Sequence, residues 1–383
     1  MRITSQMMLK QYKNDVTDAY ASMTKAMRHA YDYRAFDLPS DDPLAASQTF
    51  GIHYEMNQNA DYASNISSVN GEFTSAEKIL QNVDSILSTA NNTTTLKAIS
   101  GTMNKDNRSS LADELVNFRD QIVSQLNTKY ADSYLFSGSG SGSQPFELVK
   151  SSDPDHPEND KLYYRGVNVD TGLTKDQEAQ AATDTNILNG SDASAKPAAQ
   201  ADLNKLNSDG ADTLKQLSDD KVFVDIGLGL EVDGNGKVNE QSAFNKSIPA
   251  IAYLGSGKDD DGTPKNLCSL LSKISGALKA SKNEDLLSQN ELDTISKYTT
   301  AFNASQNVFV GGQQHIGHQM QFLSSTKSYI SSQDLNLASR DNDVEYLSPY
   351  EAIENFYSQM YCYNASLKAG SQILQQSLMD YLK

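Results

Sequence analysis

Residues 62–90 read YASNISSVNGEFTSAEKILQNVDSILSTA, and in them Tyr62, Ile66, Val69, Phe73, Ala76, Leu80, Val83, Leu87 and Ala90 recur at alternating steps of three and four without a slip. That spacing lays side chains along one stripe of a helix, and sustained over several heptads it makes a coiled-coil seam. The pattern predicts a helix from about residue 43 to 99. At ~1.5 Å per residue such a helix is on the order of 85 Å long, so it needs partners along its whole length.

The same alternation recurs towards both ends. Leu9, Tyr12, Val16, Ala19, Met23, Ala26 and Ala30 mark a first helix, and Leu111, Leu115, Phe118, Ile122 and Leu126 mark a third, with Asp113 and Glu114 expected in its first turn. In the last hundred residues Ile295, Tyr298, Phe302, Ser305, Phe309, Gly312, Ile316, Gln319, Leu323, Thr326 and Ile330 repeat the step. Ile353, Phe356, Met360, Tyr363, Leu367, Leu374, Leu378 and Tyr381 close the chain. Gly311, Gly312 and Gly317 interrupt the longer of these runs, where each costs about 1 kcal/mol relative to Ala. They mark either close helix contact or a flexible joint.

One short stretch breaks the helical pattern, LPSDDPLAAS at 38–47. A residue before proline is disfavoured in the α region, so Leu38 and Asp42 are held extended ahead of Pro39 and Pro43. Pro43 suits the first helical position, and the Asp42 carboxylate is placed to cap the free amides of Leu44 and Ala45. Pro39, Ser40, Asp41, Asp42 and Pro43 therefore read as a stiff connector and a helix cap. As metal ligands Asp41 and Asp42 lack further partners.

Between the helical ends the character changes. SGSGSGSQP at 137–145 is a flexible Gly/Ser stretch, and SGKDDDGTP at 256–264 is its polar counterpart. KLYYRGVNVD at 161–170 and KVFVDIGLGLEVDGNGKVNE at 221–240 have the β-branched and aromatic content of strands. The fold class expected is mainly α: a long antiparallel helical bundle or coiled-coil rod formed by N- and C-terminal segments, with an inserted β-rich (α+β) middle domain. If the chain enters and leaves the insert at one end of the rod, its two ends must run antiparallel and side by side. The boundaries expected are terminal arms at 1–42 and 345–383, a helical rod at 43–140 and 266–344, and an insert at 141–265.

The bulk numbers restrict function. A formal charge of −17 over 383 residues, with no basic stripe, disfavours nucleic acid. Only 38% of residues are hydrophobic and tryptophan is absent, which suits long thin packing better than one large globule. Cys268 and Cys362 stand far apart, neither a disulfide framework nor a zinc spacing, and are expected inside packed helices. No segment reaches the ~18 apolar residues of a membrane span, and the first residues lack the apolar run of a cleaved signal peptide. DGNGKVNE at 233–240 loosely evokes a calcium loop, but Lys237 and Val238 stand where a ligand and a glycine belong, and a hairpin turn explains it better. His315 and His318 lack a third ligand. No nucleophile and base pair stands out, so no catalytic, cofactor or metal residue is assigned.

At its ends the chain resembles the flagellin superfamily. The motifs are MRITSQMM at the start, PSDDP followed by Ala45, Ala46 and Ser47, DNRSSLADEL at 106–115, and YLFSG at 134–138 followed by Pro145 and Phe146. The resemblance covers about residues 1–146 and 285–383, and the start and YLFSG favour the branch that joins hook to filament. Leu38 departs from the family's usual Asn, and Pro349 interrupts a helix entry usually written without proline. The resemblance implies a structural, non-enzymatic subunit without cofactor, extracellular and exported through the flagellar type III route without a cleaved signal. Its implied partners are hook-associated protein 1, flagellin, further copies of itself in a ring at the hook tip, and an export chaperone on the C-terminal helix. The alternatives are a filament subunit and, more remotely, a non-flagellar coiled-coil adhesin. The assembly seam expected comprises Leu9, Tyr12, Val16, Ala19 and Met23 with Met360, Leu367, Leu374 and Leu378. Both arms, built from small seam residues such as Ala19 and Ala26, are expected to order only when neighbours bury their second faces.

Overall fold

The computed structural model describes residues 5–95, 104–153, 155–190, 194–280 and 287–381. They form two compact units, Met1–Ala63 with Ser328–Lys383, and Ser64–Lys327. Helices α1 (Ser5–Asp32), α2 (Pro43–Thr89) and α3 (Lys105–Leu126) lead the chain, and α8 (Gln289–Glu345) and α9 (Pro349–Tyr381) end it. Two helices bear out the expected mainly α fold most directly: α2 and α8 are both far longer than an ordinary globular helix.

In the larger unit the heptad stripe of α2 is core. Ile66, Val69, Phe73, Ala76, Leu80, Val83, Leu87 and Ala90 are all buried, and so are Ile295, Phe302, Phe309, Ile316 and Leu323 of α8, one every seventh residue. The two helices run antiparallel, since Ser67 accepts from Lys327 at 3.0 Å, Ser88 from Gln306 at 3.3 Å, and Asn303 from Asn91 at 2.6 Å. The α-helix of α2 ends ten residues short of the expected position, passing into one π-helical turn at Ala90–Thr95, and the rest of the expected span lies outside the described residues. Asn104 opens the next helix by accepting from the Asn107 amide, so α3 starts earlier than expected and its first-turn acid is Asp106 rather than Asp113 or Glu114.

Helix α3 packs against α7 (Leu267–Ala280). Their interface holds what a hydrophobic pattern cannot signal: a fully buried arginine. Arg119 donates to Asp160 at 2.7 Å, Ser272 at 2.8 Å and Asp120 at 2.7 Å, which satisfies the charge that burial would otherwise make costly. Cys268 is buried beside it, and burial pushes its thiol up to about 12, a small apolar residue in practice. Cys362, by contrast, is exposed on α9, because it falls outside the stripe that faces α1.

The middle of the chain carries small antiparallel sheets. Strands β1 (Lys129–Tyr130) and β2 (Ser133–Tyr134) form a hairpin; β3 (Phe146–Val149), β4 (Lys161–Tyr164) and β5 (Val167–Asn168) pair in that order; and β6 (Phe223–Val224) pairs with β7 (Phe244–Asn245). Arg165 and Gly166, at φ 53° and 81°, make the two-residue turn between β4 and β5, and Asp220 holds the Arg165 guanidinium at 2.7 Å. Asp233 and Asp259 build matching turns, each carboxylate accepting two amides beneath a bridge, Val232 to Val238 and Lys258 to Pro264. The DGNGKVNE segment is thus a hairpin. Helices α4 (Lys175–Asn189) and α5 (Lys196–Ser218) lie in the same region, where sequence reading assigns no helix. Few of their residues are buried, Asp184 in α4 and Ala199, Gly210 and Leu214 in α5, so no run of large apolar residues announces them, although Thr174 and Gln177 form a capping box that marks where α4 begins. The short helix α6 (Ala250–Leu254) brings Tyr253 against α8.

That contact separates the three glycines of α8. A Cβ at Gly312 would collide with the Tyr253 ring, whereas nothing lies within 4 Å of one at Gly311 or Gly317. Gly312→Ala should lower the melting temperature of the full chain. Gly311→Ala and Gly317→Ala should each raise stability by about 0.5–1 kcal/mol in denaturant titrations.

Candidate assembly site

The candidate site is the smaller unit, where the two chain ends meet. Helix α1 ends at Asp32 and Tyr33 follows at φ 60°, its amide bonded to His29 O at 2.8 Å, a left-handed helix stop made by a residue other than glycine. The chain then pairs with the turn between α8 and α9. Ala35 N donates to Glu345 O at 2.8 Å and Leu347 N to Tyr33 O at 2.7 Å, an antiparallel bridge of Arg34 with Tyr346. Three residues on, Pro349 opens α9 behind Ser348, whose hydroxyl accepts from the Glu351 amide at 3.2 Å. The proline that departs from the family pattern is therefore the first residue of α9.

The connector divides its work between two adjacent aspartates. Asp42 faces forward and accepts from Leu44 N at 3.1 Å and Ala45 N at 2.9 Å, capping α2. Asp41 faces back, accepting from the Asp37 and Leu38 amides at 3.3 Å each and pairing with Lys25 of α1 at 3.0 Å. The Lys25 ammonium holds the Asp41 carboxyl below its usual range. Arg28 pairs with Asp37 at 3.1 Å. Pro39, Ser40 and Pro43 are exposed, as is Leu38.

Helix α1 lies antiparallel on α9. Tyr20 stands 5.6 Å from Tyr363, ring to ring, and the Tyr12 ring rests on the backbone of Gly370, where a Cβ would collide with it. Tyr12, Val16, Ala19 and Met23 are half-buried, as is Met360, whereas Leu9 and Leu367 are exposed. The side chains of Leu374 and Leu378 lie outside the described residues. Burial is thin: among the described side chains Ala26 and His29 alone are buried in α1, and Ala352 and Gly370 alone in α9. A second stripe on α9 faces away from the pair, Tyr350, Ile353, Tyr357 and Tyr361, with Tyr350 77% and Tyr361 78% exposed. On α1, Met27 and Tyr31, one turn apart, make the corresponding exposed stripe, Tyr31 at 89%. Contiguous exposed apolar stripes of this kind mark interaction surfaces.

Sequence reading misses one cluster in this unit. His53 of α2 stands 3.2 Å from Asp341 and 3.6 Å from Glu345, both on α8. The carboxylates lie four residues apart on one helix face, but His53 is distant in sequence and carried no spacing signal.

The larger unit holds a polar cleft of about 700 Å³ lined by Asp160, Asp170, Lys258 and Lys273 among others. Burial pushes Asp170 up to about 6, and Asp160 is already committed to Arg119.

A thin antiparallel pair of end helices with free apolar stripes defines a class of chain that has unspent interaction surface at its termini. Comparison with known proteins gives that class a relative. Residues 3–141 match the family model described as the bacterial flagellin N-terminal helical region. The chain is 31% identical over 148 residues to flagellar hook-associated protein 3 of Salmonella typhimurium, covering 38% of this chain and 46% of that protein. It is 29% identical over 151 residues to the protein of the same name from Escherichia coli, covering 39% and 47%. The chain thus spans about half the length of these relatives. In fold it is similar to the structure of a flagellar hook-associated protein from Vibrio parahaemolyticus, at a TM-score of 0.53 and 18% identity over 80% of this chain and all of that one. The resemblance read from PSDDP and its companion motifs holds across the N-terminal third.

Hydrogen exchange separates the two aspartates. Asp42→Ala should speed exchange of the Leu44 and Ala45 amides and destabilise the α2 start by about 1 kcal/mol. Asp41→Ala should speed exchange at Asp37 and Leu38 while leaving Leu44 and Ala45 unchanged.

Proposed function

We propose that this chain is a structural, non-enzymatic subunit of the bacterial flagellum that joins hook to filament. The observation that carries this is the pair of free apolar stripes on α1 and α9 above a thin shared interface. Residues 1–42 and 345–383 act as assembly arms, 43–140 and 266–344 as a helical rod, and 141–265 as the variable insert. The arms order when copies of the chain in a ring, hook-associated protein 1 below and flagellin above bury their second faces. Before export, a chaperone covers the apolar faces of α9. The hook-associated names of the relatives favour this junction role over the other readings. A filament subunit is the second reading, because the matching family model is that of flagellin's own N-terminal region.

The test mixes the chain with hooks tipped by hook-associated protein 1 and images the tips. One added layer that then supports flagellin growth is expected. Unlimited extension of filament fragments by this chain alone would favour the second reading, and no added layer would contradict the first. Asp42→Ala combined with Pro43→Ala should leave the larger unit folded and abolish the layer.

A further inference from the structure

The cluster of His53, Asp341 and Glu345 has the makings of a metal centre. His53 Nε2 stands 3.2 Å from Asp341 Oδ1 and 3.6 Å from Glu345 Oε2, and one donor atom from each of the three residues falls within 4.8 Å of the others. Two donors bound tetrahedrally at ~2.0–2.1 Å stand about 3.3 Å apart, close to the two imidazole–carboxylate separations, and the carboxylate–carboxylate edge, within 4.8 Å, needs only a small closure to join them. Ordinary pairing leaves part of the cluster unsatisfied. Nε2 stands 3.2 Å from both Asp341 oxygens but is aligned to hydrogen-bond only Oδ2, so Oδ1, sealed from water, has the imidazole beside it and no hydrogen bond. A sealed carboxylate oxygen of this kind calls for a cation or a proton.

The surroundings sort the two oxygens of Glu345. Oε2 faces His53, while Oε1 faces Arg34 at 3.5 Å, so the guanidinium orients the carboxylate without occupying the oxygen turned to the cluster. His53 is half-exposed and Asp341 and Glu345 largely covered, which leaves an open side for water as a fourth ligand. One imidazole with two carboxylates is a nitrogen and oxygen set for a first-row divalent ion. Ca²⁺ prefers six to eight oxygens and fits poorly.

We propose that His53, Asp341 and Glu345 bind a divalent transition-metal ion of the Zn²⁺ type, which clamps α2 to α8 beside the bridge of Arg34 with Tyr346. The site needs no neighbour, so it stands or falls independently of the assembly reading.

Isothermal titration of the metal-free full chain with Zn²⁺ tests it. Binding of one ion per chain is expected, with the association constant lowered at least about tenfold in His53→Gln and in Asp341→Asn, while His315→Ala and His318→Ala bind as before. Circular dichroism checks that the variants fold, and Asp341→Asn, which keeps shape and hydrogen bonding, carries the test if His53→Gln does not. Co²⁺ added to the unmodified chain should give the ligand-field absorption of a nitrogen and oxygen site. Absence of binding, binding unchanged in Asp341→Asn, or binding lost with His315 or His318 would each overturn the assignment.

Discussion

The smaller unit depends on one constraint, that the two ends of the chain lie antiparallel and are pinned together at a single short bridge, Arg34 with Tyr346. From that point α1 and α9 run side by side, Tyr20 against Tyr363 and Tyr12 against Gly370. Along α1 burial fades with distance from the pin: Ala26 is buried, Val16 and Tyr12 are half-buried, and Leu9 is exposed. Small residues allow the helices to approach closely but bring little apolar area with them, and apolar area is what stabilises a helix in water. Other large apolar side chains of these helices, Tyr31, Tyr350, Tyr357 and Tyr361 among them, stay exposed.

The larger unit follows the opposite design. Its heptad stripes bury mostly large residues, from Ile66 to Leu87 on α2 and, every seventh residue, from Ile295 to Leu323 on α8. Arg119 and the Asn266 side chain, which caps α7 through the Cys268 and Ser269 amides, tie down polar groups between the helices. The larger unit therefore buries large apolar side chains along its helices, whereas the paired end helices bury few. Within the smaller unit the connector divides its work between single side chains, Asp41 serving α1 and Asp42 serving the start of α2.

Much of this was legible in the sequence for a simple reason. Heptads report burial directly, so the stripe from Ile66 to Ala90 could be read residue by residue, and Asp42 before Pro43 could be read as a cap from backbone sterics. What escaped was long-range or polar. Arg108 and Arg119 are buried although arginine usually signals surface, α4 and α5 bury few and mostly small side chains, and His53 meets Asp341 only through folding. Sequence reading starts α3 too late because Asn104 to Asn107 looks like a loop, whereas Asn104 is a cap.

The central claim is that neighbours, more than the pair itself, hold α1 on α9. Pulsed dipolar spectroscopy between spin labels at Asp18→Cys and Asn364→Cys, both exposed positions on the facing helices, tests it in a chain carrying Cys362→Ser. Labelled chain diluted with unlabelled chain is measured alone in solution and again after addition to hook tips. The account predicts a broad distance distribution for the isolated chain that collapses to one short, narrow distance on the hook. A narrow short distance already present in the isolated chain, unchanged on assembly, would contradict it.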